Sequence, residues 1–168
     1  MIRPGAVIFS LAATQANAAD FYFCWIGAND YTMTGQMTIP DAALTQPMVT
    51  ETDVTRFKIA GYQAGSLLGK WDMATRLDGA SWMLRYDPGR AVFATPGELG
   101  LGVTQAWNAN GNANDCGNPG FGFNLGNYAQ DFCVNGQWIE ESGMPPDTPF
   151  LVSPVPVDPY CRTYAPVS

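Results

Sequence analysis

Hydrophobic and polar positions alternate along this chain in short runs. The clearest run places Tyr31, Met33, Gly35, Met37 and Ile39 on one side, with Thr32, Thr34, Gln36 and Thr38 on the other. Such period-two spacing marks a strand with one wet face. Just before it, Phe21–Ile26 is apolar at every position, as in a strand buried on both faces. Asn29-Asp30 separates the two, and the pair is expected to form an antiparallel hairpin. Pro40 ends the second strand. Asp41–Leu44 reads as one helical turn, and Thr50-Glu51-Thr52-Asp53 as an N-cap opening another short turn. Alternation resumes at Arg56–Ala60, with Phe57 and Ile59 inward. Gly61 and Gly65 bracket a connection to Leu67–Met73. Ser81–Tyr86 forms a strand closed by the turn Asp87-Pro88-Gly89. Arg90–Thr95 returns along it, and Val103–Trp107 adds one more.

Residues 108–130 change character, with turn-forming Asn, Gly and Asp dominating from Asn108 to Asp115. Phe121-Gly122-Phe123 alternates briefly. Phe132–Val134 and Gln137–Ile139 flank Asn135-Gly136, the strongest short-range hairpin signal, a type I′ turn. Six more prolines follow Pro145. Proline that dense argues against sheet interior and for an extended, polyproline-like run. No segment repeats apolar residues at helical spacing over three turns. The expectation is an all-β fold: an antiparallel β-sandwich or barrel of roughly eight to ten short strands with one or two short helical turns. Residues 19–144 would form the domain, and residues 145–168 a Pro-rich C-terminal tail tied back by a disulfide.

The N-terminus reads as a secretory signal peptide over residues 1–18. Arg3 supplies the positive start, Ala6–Ala13 a short apolar run, and Ala16-Asn17-Ala18 the small-x-small cleavage pattern. That run is far shorter than the ~20 apolar residues of a membrane-spanning helix. The phenyl and phenol rings before Cys24 are too bulky for a lipoprotein signal. Secretion or periplasmic residence follows, and with it the reading of the 4 cysteines as disulfides. Three connectivities are open to Cys24, Cys116, Cys133 and Cys161, and the sequence does not separate them. Cys116–Cys133 is favoured because it would staple the Gly/Asn-rich segment, and Cys24–Cys161 because it would tie the tail to the first strand. Zinc spacing is absent.

Charge narrows the partners. The net charge is −7 with no histidine. That excludes His-based triads and imidazole metal sites, and argues against nucleic acid, whose phosphates need clustered Lys and Arg. Gly65–Lys70 mimics a phosphate loop but is one residue short, with Trp71 where Ser or Thr should stand. Ser66 and Lys70 are one residue further apart than a Ser–Lys nucleophile pair requires. A carboxylate hydrolase would need two acids about 5–9.5 Å apart; Asp72 with Asp78, and Glu140 with Glu141, are candidates. Asn108, Asn110, Asn112 and Asp115 place oxygens at spacings that suit calcium. However, glycine falls at the fourth position and no Glu closes the loop, so no cofactor is demanded. Trp107, Asn108 and Trp138, beside the polar loops, are the candidate platform for a glycan or small ligand.

The order Tyr31-Thr32-Met33-Thr34-Gly35-Gln36-Met37-Thr38, Asp41-Ala42-Ala43-Leu44, Thr50–Phe57, Gly65–Trp71 and Trp82–Asp87 resembles a group of exported bacterial all-β proteins associated with PEP-CTERM or VPLPA-type sorting signals. Gln105–Asn108 and Gly120–Asp131 resemble their glycine-rich end. The likeness covers roughly residues 21–142. It implies a module at the cell surface or in extracellular matrix, and it brings no catalytic residue. No hydrophobic anchor follows the Pro-rich tail, which points to free secretion or the periplasm. The expected role is that of a structural or binding domain. The alternatives are a carbohydrate or small-ligand module and a carboxylate-based hydrolase.

Overall fold

The computed structural model describes residues 17–111, 113–158 and Cys161. Residues 1–16, most of the expected leader, lie outside them, as does Asn112 of the calcium set. Thirteen strands are described: β1 (Ala18–Ile26), β2 (Tyr31–Pro40), β3 (Val49–Thr50), β4 (Arg56–Gln63), β5 (Ser66–Asp72), β6 (Trp82–Met83), β7 (Arg85–Asp87), β8 (Val92–Phe93), β9 (Val103–Trp107), β10 (Phe121–Gly126), β11 (Gln130–Val134), β12 (Gln137–Met144) and β13 (Phe150–Ser153). Single 3-10 turns at Ala43–Thr45 and Met73–Thr75 are the helical pieces among the described residues. The strands form two antiparallel sheets, one eight-stranded in the order β3-β7-β8-β13-β1-β2-β4-β5, the other five-stranded in the order β12-β11-β10-β9-β6. The architecture is all-β and sandwich-like.

The alternation read from β2 sets the core. Met33, Met37 and Ile39 are fully buried, while the threonines between them remain partly solvated. β1 pairs with β2 in the register Phe21↔Met37 and Phe23↔Gly35. At Gly35 an added Cβ would overlap the Phe23 ring, so the ring lies flat across the neighbouring strand. Aromatic rings from both sheets then meet, mostly edge to face, with Phe23–Phe57 stacked and Trp107–Phe150 tilted. Phe23, Phe57, Phe93 and Phe150 come from the larger sheet, Trp107 and Phe123 from the smaller, with Phe57–Trp107 centroids 4.7 Å apart. Each such pair adds ~0.5–1.5 kcal/mol beyond the area it buries.

Three local expectations change. Ser81–Tyr86 is not one strand: β6 joins the smaller sheet and β7 the larger, with Leu84 at the crossing. The crossing is held by Gln105, whose amide accepts from Arg85 N at 3.0 Å and donates to Arg85 O at 2.9 Å and Ala94 O at 3.1 Å. Glu51 holds the other side, accepting from Leu84 N at 3.1 Å and pairing with the Arg85 guanidinium. Thr50–Asp53 makes its short turn, but the cap runs the other way: the Asp53 carboxylate accepts from Thr50 N at 2.8 Å. The proline-rich end does enter a sheet. β13 occupies the four-residue window between Pro149 and Pro154, where no proline removes a donor, and pairs with β1 and β8.

Two disulfides are present. Cys24–Cys161 lays the tail over the outer face of β1, which is why Cys24 is buried on a face otherwise turned to water. Cys116–Cys133 fastens the loop after β9 to β11. Among the described residues no helix is long and apolar enough to cross a membrane. Both features are compatible with an extracellular or periplasmic protein.

Candidate functional site

The outer face of the smaller sheet is not left to water. Residues 108–111 and 113–117 fold back across it, and Ala109, Ala113, Cys116 and Cys133 form a second buried cluster there. The approach is close: at Gly122 an added Cβ would lie 2.5 Å from the Asn108 carbonyl oxygen, so only glycine lets the loop rest on β10. Asn108, at φ 54°, turns the chain and donates its amide to Cys116 O at 3.0 Å and Phe121 O at 2.8 Å. Asn135 and Gly136, both at positive φ, make the expected hairpin turn between β11 and β12.

Beside this loop the same face opens into a cavity of about 400 Å³. Its floor is the cross-strand pair Asn124 on β10 and Asp131 on β11. Asn127 and Tyr128, from the turn between those strands, stand on one side and Trp138 of β12 on another. Trp138 is 48% exposed and Tyr128 92%, so aromatic faces flank a polar floor.

The floor differs from the other buried polar groups. Gln105 spends its amide on the strand crossing. Gln130 accepts from Trp25 Nε1 at 2.8 Å and donates to Thr148 O. Ser142 accepts from Phe132 N at 3.0 Å and donates to Ile139 O at 2.7 Å. By contrast, Oδ1 of Asn124 and Oδ1 of Asp131 are buried without a hydrogen-bond partner. The Trp107 indole nitrogen is also unpartnered, but it belongs to the aromatic core. A buried acceptor left unpaired costs ~1–3 kcal/mol, and the two residues that carry these oxygens line one cavity. Burial pushes the Asp131 carboxyl up to about 7, against a hydrogen bond from the Trp138 side chain that favours the charged form.

Of the platform residues read from sequence, Trp138 lines the cavity and Asn108 builds the loop beside it. Trp107 is wholly buried in the core and offers no face to a ligand. Two of the loop oxygens considered for calcium are turned on the loop itself: Asp115 Oδ1 accepts from Asn110 N at 3.1 Å, and Asn110 Oδ1 from Asn114 N at 3.4 Å. Among the described residues no three His, Cys, Asp or Glu side chains converge as metal ligands. The cavity holds a single carboxyl, so neither proposed acid pair meets there. Sequence reasoning passed over Asn124 and Asp131. Asp131 was within reach of it, since it lies two residues from Cys133 and so shares its face. A cystine on that face implies cover, and an acid beside it would be buried too. No family model, curated protein or solved structure matches the chain.

Proposed function

We propose that this chain is an exported binding domain whose cavity takes one pyranose unit of a cell-surface or matrix glycan. The observation that carries the reading is the pair of unpartnered buried oxygens on Asn124 and Asp131 beside the half-exposed Trp138. Sugar hydroxyls supply donors to both oxygens, and the apolar face of a pyranose ring stacks on an indole. A single carboxyl favours binding over two-acid hydrolysis. Export is supported by the two disulfides, which persist in oxidising compartments. The leader-like N-terminus and the likeness to PEP-CTERM-associated proteins support the same location.

The test is titration of the secreted protein with neutral mono- and disaccharides, followed by the indole N–H resonances. A binding sugar is expected to shift the Trp138 signal, and Asp131→Ala is expected to abolish the response in folded protein. Absence of any shift at tens of millimolar sugar would overturn the proposal, as would a Trp138 shift that survives Asp131→Ala.

A further inference from the structure

A second surface lies on the opposite side of the molecule, on the outer face of the eight-stranded sheet. Register places Tyr22, Gln36, Lys58 and Asp72 in one row across β1, β2, β4 and β5. The next row holds Cys24, Thr34, Ala60 and Lys70. Small Ala60 lies between longer side chains, and the rows enclose an open groove of about 570 Å³ with Val157 of the tail on its wall. Both lysines of the chain line it, and Arg56 follows two residues before Lys58 on the same face of β4.

The disposition of charge is uneven. Arg85 is paired with Glu51, and Arg90 with Asp87 and Glu98. Among the described residues no carboxylate comes within ion-pair reach of Arg56, Lys58 or Lys70. Two acids share their face, and both are engaged: Asp72 accepts from Ala74 N at 2.9 Å, and Asp20 accepts from the Thr38 hydroxyl at 2.6 Å. Both acids keep their charge, because each accepts from a neutral donor, so three cations against two carboxylates leave this face a local excess of one positive charge on a chain that is otherwise strongly acidic. At physiological ionic strength charges act over about 8 Å, so this patch, not the net charge, is what an approaching anion meets.

We infer that this groove binds the carboxylates of an acidic polysaccharide, a uronate-bearing chain laid across β2, β4 and β5. Lys58 and Lys70 pair with its carboxylates from adjacent strands, with Arg56 extending the track. The amide of Gln36 and the hydroxyls of Thr34 and Tyr22 are placed to hydrogen-bond sugar hydroxyls. This site is separate from the Asp131 cavity and stands without it.

Affinity electrophoresis of the secreted protein through polygalacturonate, with dextran as the neutral control, tests the inference. Retardation by polygalacturonate alone is expected, weakening as salt is raised. The double variant Lys58→Gln, Lys70→Gln is expected to bind at least tenfold more weakly with an unchanged melting profile. The inference is overturned by no retardation, by equal retardation in dextran, by an unaffected double variant, or by retardation in a sulfated polymer alone.

Discussion

Replacing Asp131 with Asn removes the one carboxyl in the cavity at almost constant shape. Asp131 is 3% exposed, and its pKa rises from 3.8 to about 7. Each pKa unit is worth about 1.4 kcal/mol, so ionising the group in the folded chain costs on the order of 4 kcal/mol. Asp131 holds its proton more tightly folded than unfolded. From about pH 4 to 7 the native chain therefore carries a proton that the unfolded chain has released, and stability falls as pH rises through that window. Urea midpoints followed by tryptophan fluorescence at pH 4 to 8 give the measurement. The wild-type midpoint is expected to drop across the window. Asp131→Asn, with nothing to ionise there, is expected to lose most of that slope and to exceed wild type at pH 8. A wild-type midpoint that is flat or rising between pH 5 and 8, or a variant that keeps the full slope, would refute the burial argument.

Other expectations follow from single contacts. Removing Cys116–Cys133 by double serine substitution is expected to cost about 3 kcal/mol, and removing Cys24–Cys161 more, since it closes the longer loop; denaturant melts of each variant check the order. Glu51→Ala strips a partner from Leu84 N–H and from Arg85 at the strand crossing, and a loss of about 2 kcal/mol is expected in the same melts. Burial opposes the charge on Glu51, but the Leu84 and Glu51 backbone N–H groups and the Arg85 guanidinium outweigh it and hold its pKa below the ordinary value. Its contribution is therefore lost as pH falls through that lowered value, and Glu51→Ala should show a shallower acid transition. Gly122→Ala is expected to lift the loop from β10 at a cost of about 1–3 kcal/mol, seen as earlier protease cleavage between residues 108 and 117.

What could be read from the chain was what depends on neighbours in sequence. The alternation in β2, the inward Phe57 and Ile59, and the Asn135-Gly136 turn are set locally, and each was legible. Assignment of strands to sheets was not. Ser81–Tyr86 splits because Gln105, far along the chain, binds Arg85 on both backbone sides. β13 was hidden by the prolines around it, since its four residues gain their ladder only from β1 and β8. The cavity arises from the same kind of distance. Asn124 and Asp131 meet across a hairpin, and their burial comes from a loop that precedes both.

The Cys116–Cys133 bond ends on the strand that carries Asp131, two residues away and on the same side. One wall of the cavity is thus fixed before anything enters it. Ordering backbone on arrival of a guest costs roughly 1–2 kcal/mol per residue; here that cost was met when the thiols oxidised. In the proposed binding role, grip and redox state would be linked through shape alone: reduction would loosen the seat without altering one atom that touches the guest.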